Sequence, residues 1–254
     1  MTPPAAEAFA SESLLVTKGL SVSFDGFKAV DNLSFSVDSG EIRALIGPNG
    51  AGKTTLLDLI SGKTAPTTGS VMFKNREITH LREYEIVRSG VGRKFQTPSV
   101  YESLTVFENF EMAFPDNRSC WSAWRFRRSD EVVAKVEQIA ELTYLKDRLR
   151  DRAEILSHGE KQWLEIGALL IQNPELLMLD EPVAGMSPHE REATGELLLE
   201  IAKNRAVLVV EHDMDFVKNV AHVVTVLHQG RVLAEGSMDE IQRNPKVIEV
   251  YLGH

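Results

Sequence analysis

The sequence predicts an α/β chain, with parallel strands alternating with helices, an antiparallel β patch ahead of them and a helical block inserted among them. Three observations carry that prediction. IRALIG, LLMLDE and AVLVVEH are short apolar runs bounded by polar or turn residues, as expected for strands covered on both faces of a parallel sheet. TTLLDLISG, SPHEREATGELLLEIAKN and MDFVKNVA follow those runs in turn with helical spacing, which gives βα repetition. From about residue 96 to residue 172 the patterns are mostly helical.

Composition narrows the class. The chain has 254 residues, enough for one large α/β domain or two small ones. A formal net charge of −9 argues against a nucleic-acid partner held by phosphate contacts. The single cysteine, Cys120, allows no disulfide within the chain and points to a reducing compartment. No stretch reaches the roughly 18 apolar residues of a membrane span, so a membrane role would be peripheral, through another protein. The start, MTPPAAEAFASES, carries no basic residue and reads as a disordered leader over residues 1–12.

The elements follow in order. SVSF and FSV alternate like half-buried strands and flank DGFKAVDN, which reads as a turn-rich connection. IRALIG and TTLLDLISG form the first parallel strand and its helix. RKFQTP ends another short strand-like run at the entry to the helical block. LTVFENFEMAF, DEVVAKVEQIAEL and GEKQWLEIGALLIQN are the block's helices, and Ser157 with Glu160 suits a capping box at the start of the third. Between the first two, residues 115–130 are irregular and basic through Arg118, Arg125, Arg127 and Arg128. That stretch reads as a solvated loop with two packed tryptophans, a partner or lipid-headgroup contact being the alternative. The organisation expected is one domain over 13–254, with 13–95 and 173–254 as the α/β core and 96–172 as its helical part.

Chemistry enters with GPNGAGKT, residues 47–54, which fits G-x-x-x-x-G-K-[ST] between an apolar run and a helix. Gly47, Gly50 and Gly52 let the backbone wrap a phosphate closely, with Pro48, Asn49 and Ala51 completing the loop and Thr55 following it. Lys53 would place a charge on β and γ oxygens, and Thr54 would offer its hydroxyl to Mg²⁺. LLMLDEP ends an apolar strand in two acids. Asp180 can reach Mg²⁺, whose remaining ligands come from substrate phosphates, and Glu181 can polarise water as a general base. His212 ends the run AVLVV. It would share the sheet edge with Asp180 if those strands are neighbours, and there it could bond a γ-phosphate and the attacking water. Gln96 could offer its carbonyl oxygen to Mg²⁺ or water, and Phe24 with Val30 could receive an adenine ring. Taken singly, a histidine at a strand end or a strand-tip acid pair is most often structural; the phosphate loop changes that reading.

The order GPNGAGKT, Gln96, LSHGE, LLMLDE, EHD resembles the ATP-binding subunits of ABC transporters, over residues 13–254. That resemblance implies the ABC ATPase fold, a RecA-like P-loop NTPase core with an antiparallel β subdomain and an inserted α-helical subdomain. LSHGE corresponds to the family's signature, usually LSGGQ, with His158 for a glycine and Glu160 for the glutamine. Ser187 stands where the loop after the catalytic acid usually has aspartate. In the family two ATPases stack head to tail, so the resemblance implies that Ser157 and Gly159 approach the ATP of the partner subunit, which is the same chain or a paralogue. Two membrane permease subunits, and indirectly a periplasmic solute-binding protein, are the other partners implied, with the chain peripheral on the cytoplasmic face of a bacterial inner membrane. RNPKVIEVYLG resembles the branched-chain amino acid and amide uptake group. Within it VSFDGFKAVDNLSFSVDSGE, VGRKFQTPSVYESL and DEPVAGM look most like the D-type ATPase subunits of urea transporters. The reading is therefore an importer ATPase for a small polar solute, urea or a short amide. A branched-chain amino acid importer ATPase and a non-transport, nucleotide-gated clamp are the alternatives.

Overall fold

The computed structural model describes residues 13–94, 100–115 and 129–252. Among these residues ten strands form two sheets. A four-stranded antiparallel sheet has the order β2 (Phe27–Asp38), β1 (Ser13–Phe24), β4 (Thr68–Phe73), β5 (Arg76–Glu77). A six-stranded sheet has the order β10 (Arg231–Gly236), β9 (Val223–His228), β3 (Ile42–Ile46), β8 (Ala206–Val210), β7 (Leu176–Asp180), β6 (Val91–Lys94). Its pairs are parallel except β10 with β9.

The buried runs behave as their pattern requires. In β7, Leu176 and Met178 enter the core shared with the antiparallel sheet and α1 (Lys53–Ile60), while Leu177 and Leu179 enter the core shared with the helices. Every residue of β3, β7 and β8 is buried, because helices or a second sheet cover both faces. The helical side is built by α3 (Val106–Met112), α4 (Asp130–Leu142), α5 (His158–Ile171) and α6 (Pro188–Ala202). A third cluster joins Ala44, Ile46 and β9 to α7 (Met214–Val220), α8 (Met238–Arg243) and Val247 of α9 (Pro245–Leu252). Among the described residues no helix is long and apolar enough to cross a membrane.

The connection DGFKAVDN is corrected. Only Asp25 and Gly26, at φ 48° and 87°, make the turn, a two-residue hairpin link with positive φ at both positions. The rest lies in β2, whose one polar face mimics a loop. Asn32, at φ 49°, marks an irregularity inside that strand, where its N–H donates to Ser21 Oγ at 2.9 Å. Sequence patterning also passed over β4, β5, β9, β10 and α2 (Glu83–Ser89). The leader, Gln96, Cys120 and the tryptophans of the basic loop lie outside the described residues.

Candidate functional site

The phosphate-loop residues, Asp180, Glu181 and His212 gather where β3, β7 and β8 end on one edge of the parallel sheet. Residues 47–54 join β3 to α1. Gly47 and Gly52 have φ of 154° and 103°, and a methyl group on either would collide with a backbone carbonyl, of Leu227 and of Ala29 respectively. Only glycine fits both the dihedral and the space. The loop thus presents its backbone at the N-terminus of α1, a site suited to anions.

Lys53 Nζ donates to the carbonyls of Gly47 at 2.7 Å and Pro48 at 3.1 Å, arching over the loop. Partial burial holds its pKa below the ordinary lysine range, against the opposing pull of the Glu181 and Asp180 charges. Thr54 Oγ1 donates to Asp180 Oδ2 at 3.3 Å. Asp180 is 3% exposed. Burial raises its pKa, Arg93 acting the other way and Glu181 adding to the rise.

The parallel pairing of β7 with β8 sets Asp180 beside Val210, which puts Glu181 and Glu211 on adjacent loops. Glu181 has φ 48°, a conformation non-glycine residues seldom adopt and one that clusters at working sites. Its N–H donates to the Val210 carbonyl at 2.9 Å. His212 Nδ1 lies 3.7 Å from Glu181 Oε1 and 3.8 Å from Glu211 Oε2. Glu211 escaped the sequence reading. It is 1% exposed and accepts from the N–H groups of Val183 at 3.2 Å and His212 at 3.1 Å. Burial raises its pKa. The available signal was an acid closing a wholly apolar strand.

The adenine pair divides. Phe24 is 48% exposed at the hairpin tip, whereas Val30 is 0% exposed. Val30 packs beneath the loop, near Gly52 and Gly230, so its side chain supports the loop and offers no surface to a base.

The segment 157–160 lies elsewhere, against the chain that follows Glu181. Ser157 caps α5, and Glu160 closes the capping box. Glu160 is turned aside: its Oε1 accepts from Arg148 Nε at 3.1 Å and its Oε2 from the Ser157 N–H at 2.8 Å. His158 Nε2 is 3.0 Å from the Ala184 carbonyl oxygen. Ser187, in place of an aspartate, caps α6.

Among the described residues there is no cluster of three or more His, Cys, Asp or Glu able to hold a metal alone. The Thr54–Asp180 pair is instead a two-ligand oxygen set. It suits a hard cation whose remaining shell comes from phosphates and water.

A phosphate loop at the edge of a parallel sheet, with a buried and a half-buried acid at the tip of β7, defines a P-loop nucleotide-binding protein. Comparison with known proteins takes this further. The family model described as ABC transporter matches residues 30–184, and that of the branched-chain amino acid ATP-binding cassette transporter matches residues 231–254. The chain belongs to the ABC transporter family and is an ATPase of the kind that powers transport. It is 36% identical over 252 residues to the high-affinity branched-chain amino acid transport ATP-binding protein LivG of Salmonella typhimurium, covering 96% of this chain and 99% of that one. It is also 36% identical to a probable LivG of Archaeoglobus fulgidus, covering 94% and 95%. Its fold matches a nucleotide-free ATP-binding cassette with a TM-score of 0.85 at 33% identity, covering 95% of this chain and 100% of that one. The ADP conformation of such a cassette matches with the same score and identity, covering 96% and 100%. These relatives support the branched-chain amino acid group, and the narrower likeness to urea-transporter subunits finds no support in them.

Proposed function

We propose that the chain is the ATP-hydrolysing subunit of a prokaryotic importer, with branched-chain amino acids as its solute class. The observation that carries this is the end-to-end likeness to LivG, 36% identity covering 99% of that protein, together with the C-terminal match over residues 231–254. Urea or a short amide is the reading it displaces. Solute choice would belong to the membrane and solute-binding partners.

In this reading, the loop from Gly47 to Thr55 holds the phosphates and Phe24 meets the base. Lys53 turns from the Gly47 and Pro48 carbonyls to the β and γ oxygens. Thr54 and Asp180 would hold Mg²⁺, with Gln96 a further candidate ligand, and the ion would supply neutralising charge to the phosphates. Glu181 aligns and polarises the attacking water, and His212 bonds the γ-phosphate. Ser157 and Gly159 would belong to the ATP of a partner ATPase stacked head to tail, a second copy or a paralogue. Closing such a dimer from about 1:99 to 99:1 requires about 5.5 kcal/mol of differential ATP binding, which two interfacial nucleotides can supply.

The motion would reach two membrane permeases through the face between β6 and α3. There a groove lined by Tyr101, Asn109, Met112 and Leu164 lies over the buried Lys94–Glu165 ion pair, 3.2 Å apart. The chain would thus sit on the cytoplasmic side of the inner membrane.

The test is reconstitution with the co-purified permeases and the solute-binding protein in liposomes. Leucine, isoleucine or valine should stimulate ATP hydrolysis and be taken up. Stimulation by urea or acetamide, with none by these amino acids, would overturn the assignment. Failure to recover any multi-span partner would favour the clamp.

A further inference from the structure

Ser157 has one hydroxyl proton, and here a carboxylate of the same chain receives it. Ser157 Oγ accepts the Glu160 N–H at 3.1 Å and donates to Glu190 Oε1 at 3.0 Å. A serine hydroxyl is a single donor, so it cannot serve a phosphate oxygen at the same time. Glu190 stands in the first turn of α6. Its other oxygen, Oε2, accepts the Ser187 N–H at 2.9 Å and the Ser187 hydroxyl at 2.7 Å. These bonds hold its carboxyl below the usual glutamate range, so the group is anionic at neutral pH.

Gly159 admits this arrangement. A methyl group there would collide with Glu190 Oε1 and Cδ, so the carboxylate lies against the first turn of α5. That is the positive end of a helix, where an anion is favoured. The place that the proposed function reserves for a γ-phosphate thus already receives a carboxylate from the chain itself.

We propose that Glu190 is a specificity-determining residue of the half-site at Ser157 and Gly159, a competing acceptor that the γ-phosphate of a partner's ATP must displace. This rests on the reading of Ser157 and Gly159 as contacts to the partner's nucleotide. ADP brings no γ oxygen, so the Ser157–Glu190 bond persists and the subunits stay apart. ATP brings acceptors for the hydroxyl and a charge that repels the carboxylate. Glu190 then retires to Ser187 through Oε2, so α6 stays capped and only one bond is broken. The pairing of Ser157 with Glu190 sets how much ATP closure requires.

The test is ATP titration of the full chain carrying Glu181→Gln, with dimer read by sedimentation velocity. Adding Glu190→Gln should lower the ATP concentration for half-maximal dimer at least about fivefold, as expected for loss of one charge-assisted hydrogen bond. Glu190→Asp, which keeps a carboxylate for the cap but draws it back from Ser157, should move it the same way. Ser187→Ala weakens the same cap by taking a donor from Glu190 Oε2 while leaving the Ser157 bond in place, and should not lower the ATP requirement. An unchanged or higher requirement in both Glu190 variants, with thermal unfolding showing them folded, overturns the proposal. Ser157→Arg separates the two layers. If that variant dimerises like its parent, the assembly reading itself fails. If it stays monomeric while the Glu190 variants match their parent, only the role of Glu190 fails.

Discussion

The His212 imidazole stands between two carboxylates on neighbouring loops, with Nδ1 3.7 Å from Glu181 Oε1 and 3.8 Å from Glu211 Oε2. One of these acids is partly exposed and the other is sealed. That asymmetry separates their duties. Glu181 can meet a water molecule, whereas Glu211 can only hold the backbone of Val183 and His212 in place.

Glu181→Gln should therefore lower turnover by on the order of 10² or more while ATP affinity stays near the parental value. Steady-state hydrolysis and equilibrium nucleotide binding, measured side by side, check this. A variant hydrolysing at the parental rate removes Glu181 from the chemistry.

Lys53→Ala should weaken ATP binding by roughly 10- to 100-fold, the range of a hydrogen bond to a charged group. The Gly47 and Pro48 carbonyls that its ammonium now holds can turn to water, so the unfolding temperature without nucleotide should change little. Calorimetric titration and a melting curve read the two effects separately.

Asp180→Asn sets stability against function. Burial raises the folded-state pKa of Asp180. The stabilisation from its protonated form is complete below the unfolded-state pKa and is lost as pH rises through the folded value. At neutral pH the ionised group is thus a net cost to the nucleotide-free fold. Asp180→Asn should raise the melting temperature at pH 7, with the gain shrinking as pH falls into the carboxylate range, and should abolish Mg²⁺-dependent hydrolysis. A lower melting temperature at pH 7 would contradict this account.

Gly52→Ala should destabilise the fold by about 1–3 kcal/mol. It sets a side chain at φ 103° and against the Ala29 carbonyl, which belongs to backbone and cannot rotate away. Urea denaturation measures the loss, and nucleotide binding should fall with it.

Much of this was written in local pattern. The phosphate loop, the β7 acids and the parallel runs were legible because each is a contiguous stretch with its own geometry. So was the capping box at Ser157, which needs residues only three apart. Less was legible where the partner is distant. VVTVLH, rich in β-branched residues, is buried through pairing with β3, a partner those six residues do not name. DGFKAVDN looked like a loop because one face of β2 is polar. Val30 looked available to a base because its position beneath Gly52 is a tertiary fact. Glu190, the neighbour of Ser157, lies thirty-three positions on in the chain, and spacing gave no hint of it.

The sheet order carries a consequence for biosynthesis. β3 lies between β8 and β9, so the strand that launches the phosphate loop emerges from a ribosome with neither neighbour available. Its edges stay open until residues 206–228 have been made, and exposed strand edges invite aggregation. A nascent chain halted after α6 would hold every residue of the loop yet lack the framework that shapes it. Competence to take up nucleotide should therefore arise late and abruptly in translation, when β8 enters between β3 and β7 and β9 closes the other edge of β3.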